Sequence, residues 1–335
     1  MSVQNKTSII QTTNLHKNFD DFTAVDQLNI EVKTGEIYGF LGPNGAGKTT
    51  TIKMLTTLLN PTSGTATLTG YDIKKQRHNV RTHIGVVFQE PALDSELTGK
   101  ENLDFHGRMY NLDRKTRQQR IQEVLKLVDL TTKEDVLVKN YSGGMKRRLE
   151  IARGLMHKPT ILFLDEPTLG LDSQTRQAIW AYIKKLNKDH KTTIFLTTHY
   201  MDEADHLCDR ISIIDQGKIL VTDTPTQLKN NVGDDVISLQ STHQDAFKRL
   251  LEQQEWVNQI KTTDEKTLNL GVQSGEEKIP LVFSLAIQNS ITIKTITLHR
   301  PTLDDVFIHY TGRTMRQSKE NPLKAQMIRT RRYRR

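Results

Sequence analysis

Short apolar runs punctuate the chain, and most end in a polar or glycine-rich stretch. Residues 37–41, 84–88, 161–164 and 193–198 are short enough and apolar enough for strands buried on both faces. Between them, apolar positions return at helical spacing. Positions 52, 55, 58 and 59 predict a helix over 51–59, and Ile121, Val124, Leu125 and Val128 form a stripe within the polar segment 97–130. Two further helices are predicted over 147–155 and 173–185. Strands alternating with helices imply an α/β core around a largely parallel sheet. The start of the chain differs: residues 9–36 alternate apolar and polar, with Leu28, Ile30 and Val32 in phase, as short antiparallel strands do. Residues 64–70 add a strand after a 61–64 turn, and 211–215 with 218–221 form a hairpin across Gln216-Gly217.

The pattern changes near Asn230-Asn231-Val232-Gly233-Asp234. Beyond it the chain reads strand 236–240, helix 244–253, strands 257–262 and 266–272, helix 277–288 and strand 291–298. That β-α-β-β-α-β order predicts a small ferredoxin-like α+β domain, with a closing helix over 302–310. The expected division is a domain over 8–232, an accessory domain over 235–312 and a tail over 313–335. The accessory domain carries no catalytic constellation and reads as a dimerisation or regulatory module.

A chain of 335 residues suits two domains. No apolar stretch reaches membrane-spanning length, and no secretory leader opens the chain. One cysteine, Cys208, excludes a disulfide framework and reads as a small buried hydrophobe in a cytoplasmic protein. The net charge of +8 is concentrated at the C-terminus: residues 313–335 hold nine Lys/Arg and one Glu, leaving 38 basic and 38 acidic residues elsewhere. The body is neutral, so the basic pI is no argument for nucleic-acid binding.

Candidate chemistry begins with Gly42-Pro43-Asn44-Gly45-Ala46-Gly47-Lys48-Thr49-Thr50, a G-x-x-x-x-G-K-[ST] loop between a strand and a helix. Its glycines let successive N–H groups face phosphate oxygens at a helix N-terminus. Lys48 is expected on the β- and γ-phosphates and the Thr49 hydroxyl on Mg²⁺. The run 161–164 delivers Asp165 and Glu166 to a strand end, where ligand chemistry in parallel sheets occurs. Asp165 suits the Mg²⁺ shell and Glu166 a base that polarises water. Four further positions are open on local sequence alone. Gln89 ends a strand and could ligate Mg²⁺ or cap a turn; Ser142-Gly143-Gly144 opens a helix and is an anion site or a plain cap. Asp172 is an N-cap for the helix after it, and His199 ends the strand 193–198. Phe19 is core or an aromatic platform for a base ring.

Taken together and in this order, Gly42–Thr50, Gln89, Ser142-Gly143-Gly144, Asp165-Glu166, Asp172 and His199 resemble the motif set of the ATP-binding-cassette ATPases, over roughly residues 8–312. The resemblance implies a P-loop cassette with a mixed sheet core, an antiparallel β subdomain and a helical subdomain. It implies ATP stacking on Phe19, a lid-loop glutamine at Gln89 and a switch histidine at His199. It also implies a head-to-tail homodimer in which Ser142-Gly143-Gly144 of one copy closes the other's nucleotide site, and it counts Asp172 among the cofactor-binding residues. Segments 97–103 and 300–307 are similar to those of daunorubicin-resistance exporter subunits. Two positions depart from the usual signature, Tyr141 for leucine and Met145 for glutamine.

The expectation is an ATPase subunit of a multidrug exporter, peripheral on the cytoplasmic face of the cell membrane and working with a separately encoded permease. The segment between Gln89 and Tyr141 is the expected permease contact. The basic tail is a candidate for binding an anionic membrane surface, and no specific nucleic acid is expected. A soluble cassette ATPase of nucleic acid or ribosomes is the alternative. Only 53 residues separate Gln89 from Ser142, too few for the coiled coil of the DNA-repair members, and translation-associated members carry two cassettes per chain.

Overall fold

The computed structural model describes residues 7–90, 92–264 and 267–311. The chain divides into two compact units that part between Pro225 and Thr226, seven residues before the break expected from sequence at 232. The basic segment 313–335 lies outside the described residues.

The first unit opens with an antiparallel sheet. Strands β1 (Ser8–Phe19), β2 (Phe22–Leu28), β3 (Glu31–Lys33), β5 (Ser63–Leu68) and β6 (Tyr71–Asp72) run in the order β2-β1-β5-β6, with β3 also on β1. The second sheet holds β4 (Ile37–Leu41), β7 (Ile84–Val87), β8 (Ile161–Asp165), β9 (Thr193–Thr198), β10 (Arg210–Asp215) and β11 (Lys218–Asp223). Its order is β11-β10-β4-β9-β8-β7, parallel except for the β10–β11 hairpin. Strands β4, β8 and β9 are buried at every residue, which is why their centres read as apolar runs rather than as alternating patterns. Tyr38, Phe40 and Phe163 pack around Phe195 with ring centroids 5.4–5.6 Å apart, fixing the centre of the sheet. Cys208 lies under β4, where a Cβ added to Gly39 would come within 2.6 Å of its Sγ. Burial pushes its thiol pKa up, in keeping with a packing role.

Helix α1 is shorter than the expected 51–59 segment. It spans Lys48–Leu55 and stops because Thr57 turns left-handed (φ 63°) and the Thr56 hydroxyl donates back to the Ile52 carbonyl. Leu58, expected on the buried face, is therefore exposed. A short helix α2 (Arg77–His83) leads into β7. The segment 97–130 resolves into α3 (Gly99–Met109), closed by a Thr98/Glu101 capping box, and α4 (Arg114–Leu127), capped by Asp113. Ile121, Val124, Leu125 and Val128 are all buried, as the stripe predicts. These helices pack on α5 (Gly143–Gly154), whose cap is Ser142. Tyr141 explains its own departure from leucine: the ring is buried, and its hydroxyl donates to the Lys133 carbonyl at 2.7 Å. Helices α6 (Ser173–His190) and α7 (Met201–Leu207) complete the layer.

The second unit begins within α8 (Pro225–Asn230), at Thr226. It continues through β12 (Asp235–Ser241), α9 (Gln244–Glu252), β13 (Val257–Asp264), β14 (Thr267–Val272), α10 (Gly275–Gln288), β15 (Ile293–His299) and α11 (Leu303–Thr311). The four strands form an antiparallel sheet in the order β13-β14-β12-β15. Alternate residues Ile237, Leu239, Leu268, Leu270 and Val272 meet Phe247, Leu251, Val282 and Ala286 of α9 and α10 in a core of their own.

Candidate functional site

The loops after β4, β8 and β9 converge at the C-terminal edge of the parallel sheet. The Gly42–Thr50 loop leaves β4 and is held from both sides. Gly42 N–H donates to the Thr198 carbonyl, and Gly217 N–H, in the β10–β11 turn, donates to the Ala46 carbonyl. Gly47 is constrained both in conformation and in space. Its φ is 105°, and an added Cβ would lie 2.5 Å from the Ala24 carbonyl oxygen. Gly42, Pro43, Ala46, Gly47 and Lys48 are buried, Asn44 and Gly45 are exposed, and Thr49 and Thr50 are half-buried in the first turn of α1.

Lys48 curls back over its own loop. Its Nζ donates to the carbonyls of Gly42 (2.6 Å) and Pro43 (3.1 Å) and lies 3.3 Å from Glu166 Oε1. His199 Nδ1 reaches the same Oε1 at 3.1 Å and must carry the proton there, since a carboxylate only accepts. Glu166 therefore gathers a lysine and a histidine on one oxygen while remaining only 8% exposed. Burial pushes the Glu166 carboxyl up. The His199 hydrogen bond and the Lys48 ammonium outweigh it and hold the group below the usual carboxylate range. Lys48 is pulled down by its own burial, which the attraction of Glu166 only partly offsets.

Asp165 sits one residue away with a different set of partners. Thr49 Oγ1 donates to Oδ2 (2.9 Å) and Thr197 Oγ1 to Oδ1 (2.5 Å). A hydroxyl and a carboxylate side by side are hard oxygen donors. They fit Mg²⁺, which takes one or two carboxylates and completes its shell with water and phosphate oxygens. Among the described residues no cluster of three or more His, Cys, Asp or Glu gathers for a metal. An ion at this place would therefore depend on a phosphate ligand for much of its shell.

The remaining expected residues stand apart from this cluster. Gln89 is exposed just past β7, and its carboxamide makes none of the contacts above. Phe19 is 45% exposed at the end of β1, with Lys17 Nζ 5.0 Å from its ring centroid. Ser142 and Gly143 are exposed at the first turn of α5, and Ser142 Oγ accepts from Met145 N–H. Gly144 allows a close approach to the next helix: a Cβ there would lie 2.5 Å from Thr175 Cγ2. Asp172 caps α6 through Thr175 N–H (2.9 Å) and Thr175 Oγ1 (2.6 Å), the role its local sequence indicates.

Sequence reasoning missed Arg147. It is buried on α5, and its guanidinium donates to the carbonyls of Phe88, Asp165, Glu166 and Pro167 and to Glu150. The only signal in the sequence is an Arg/Glu pair three residues apart in a helix whose other face is plainly polar. Such a pair reads as a surface ion pair until burial is known.

The ABC transporter family matches residues 25–169, and the C-terminal domain family of DrrA1-3-like ATP-binding proteins matches residues 224–311. The daunorubicin resistance ATP-binding protein DrrA3 of Streptomyces coeruleorubidus is 38% identical over 88% of this chain and 93% of its own length. The linearmycin resistance ATP-binding protein LnrL of Bacillus subtilis is 39% identical over 92% of this chain and its whole length. A Nod factor export ATP-binding protein I of Cupriavidus metallidurans is 38% identical over 92% of this chain and 99% of its length. Among solved structures, the dimeric post-hydrolysis state of the cassette MJ0796 with ADP and Pi superposes with a TM-score of 0.58. It is 28% identical and covers 64% of this chain and 98% of its own.

Proposed function

Because the chain belongs to the ABC transporter ATP-binding family and is an ATPase, we propose that it powers a multidrug or antibiotic exporter through a separate membrane permease. The carrying observation is the convergence of Lys48 and His199 on Glu166 beside the Thr49–Asp165 bond. In this reading the loop N–H groups and Lys48 bind the phosphates of ATP, and Thr49 and Asp165 hold Mg²⁺, with Gln89 joining as the lid loop closes. The ion would neutralise charge developing on the phosphate oxygens.

Glu166 takes the proton of the attacking water as its oxygen bonds to the γ-phosphorus and the bond to the β-phosphate oxygen breaks. When Lys48 turns from Glu166 to the phosphates, the carboxylate loses a cation that lowers its pKa and becomes the stronger base. His199 keeps hold of Oε1 and orients the group. Phe19 stacks on the adenine. The exposed Ser142-Gly143-Gly144 turn and Asp172 close the nucleotide of a second copy, so ATP joins two chains head to tail and hydrolysis parts them.

Among the described residues no helix is long and apolar enough to cross a membrane, so the permease is a separate chain in this reading. Phe105 and Met109, 61% and 66% exposed on α3, lie within the segment proposed to meet it at the cytoplasmic face. Reconstitution with the permease in proteoliposomes is expected to raise ATP turnover severalfold and to give ATP-dependent export. Stimulation by RNA or ribosomes, and none by permease, would favour the soluble alternative.

The segment 313–335, with five arginines in its last seven residues, is proposed to add attraction to an anionic leaflet. Each basic residue near such a surface contributes about 1 kcal/mol, screened over about 8 Å at physiological salt. Truncation after residue 312 is expected to preserve ATP turnover and to abolish co-sedimentation with anionic liposomes at low salt. Equal binding by both forms, or binding indifferent to salt, would remove this role.

A further inference from the structure

We propose that Arg147, together with Glu150, is a positioning residue for hydrolysis that ties helix α5 to both Glu166 and the segment carrying Gln89. The proposal rests on the reading of Glu166 as the base.

The contacts are specific in direction. Arg147 Nη2 donates to the carbonyls of Asp165 (3.0 Å) and Glu166 (3.2 Å), and Nε donates to that of Pro167 (2.8 Å). Three successive carbonyls at the end of β8 therefore converge on one guanidinium. Glu166 lies in the middle with φ 48°, a left-handed conformation that a non-glycine residue adopts only when its surroundings hold it. From the other side, Glu166 N–H donates to the carbonyl (3.1 Å) and hydroxyl (3.2 Å) of Thr197. The peptide groups on both flanks of the base are thus bonded, and with them the direction in which its side chain leaves the backbone.

The same arginine reaches β7. Nη1 donates to the Phe88 carbonyl at 2.6 Å, one residue before Gln89, and to Glu150 Oε2 at 3.0 Å. Glu150 in turn accepts Ala92 N–H at 2.8 Å through Oε1, and Arg153 donates to the Ala92 carbonyl at 3.0 Å. Residues on successive turns of α5 therefore grip the Gln89 segment at both ends, while Gln89 itself stays exposed.

Arg147 and Glu150 are 7% and 2% exposed. A buried ion pair is weak evidence for stability, because desolvation cancels much of the attraction, but it is a sharp device for geometry. Five N–H donors in a planar fork can satisfy several carbonyls at once, which an ammonium on a flexible stem cannot. Ser142 caps this same helix five residues upstream. A displacement of the cap along the helix axis would be passed to Glu166 and Gln89 through bonds that leave little slack.

The test compares Arg147→Lys, Glu150→Gln and Glu166→Gln in the full-length chain. Arg147→Lys is expected to lower kcat about tenfold or more while KM and measured ATP affinity move less than about threefold, the split expected for a group acting on the chemical step. Glu150→Gln, which breaks the pair but keeps size, should show the same split and serves if Arg147→Lys does not fold. In the Glu166→Gln background, Arg147→Lys should lower residual turnover by less than about threefold, since the larger part of its effect passes through that carboxylate and only the contact with the Gln89 segment remains to be lost. A full additional loss there, a parallel decline of kcat, ATP affinity and thermal stability, or wild-type kcat in both single variants would overturn the proposal. Near-normal turnover in Glu166→Gln alone would instead refute the reading of the base.

Discussion

Glu166→Gln is expected to bind ATP with near-normal affinity and to lose turnover by about 10²- to 10⁴-fold, the share that a general base contributes. The substitution keeps shape and an acceptor oxygen, so His199 Nδ1 can still donate to the side chain. It removes the charge that pairs with Lys48 Nζ 3.3 Å away. That pair opposes nucleotide binding, because Lys48 must leave it to reach phosphate, so affinity for ATP should stay level or rise. ATP that binds but is not cleaved should accumulate a closed dimer. Phosphate release measured in single turnover, together with size-exclusion chromatography in ATP, checks both parts. Near-normal phosphate release would assign the base to another group.

A mixture of Lys48→Ala and Ser142→Arg subunits should recover activity that neither parent has. Lys48 lies at the base of the loop, buried and directed at the carbonyls of Gly42 and Pro43, so its loss disables the site of its own chain. Ser142 is exposed at a helix start, with its hydroxyl accepting from Met145 N–H. An arginine there would project from the surface into whatever that turn meets, leaving its own chain's loop intact. If the two motifs serve one nucleotide across a head-to-tail pair, a mixed dimer has one doubly damaged site and one whole one. Random pairing of equal amounts then gives about a quarter of wild-type turnover when sites act independently. ATP-dependent dimers detected by crosslinking report the same sharing where hydrolysis needs both sites. Recovery of neither hydrolysis nor dimer would refute the shared site.

Much of this protein was legible without coordinates because local rules and tertiary packing agree. The strands at 37–41, 161–164 and 193–198 carry no charge and are mostly apolar because helices and a second sheet cover both faces, and this burial leaves a mark in the sequence. The 42–50 loop announces itself through its glycines, and at Gly47 a Cβ would lie 2.5 Å from the Ala24 carbonyl oxygen. Asp165 and Glu166 stood out because two acids directly after a buried run are costly without a purpose. Caps at Asp113, Ser142 and Asp172 follow from short polar side chains before helical periodicity. The end of α1 at Leu55 was less legible, since periodicity cannot foresee a left-handed Thr57.

The pairing of these residues is a different matter, for it depends on strand order. Parallel β4 and β8 both flank β9, and that order brings Lys48 and His199, 118 positions before and 33 positions after Glu166, to one of its oxygens. The sequence suggests different roles for Asp165 and Glu166 but not their partners, two hydroxyls for the one and a lysine and a histidine for the other. Their different partners arise because the backbone turns left-handed between them and the next strand, aiming adjacent side chains at different neighbours. Arg147 makes the same point most plainly. Its charge is visible in the sequence, but its meaning lies in four carbonyls from two other strand ends, and carbonyls carry no residue identity to be read. Residue types and their order along the chain mark the groups suited to phosphate, metal and water, whereas strand order and backbone direction set which of them share an atom.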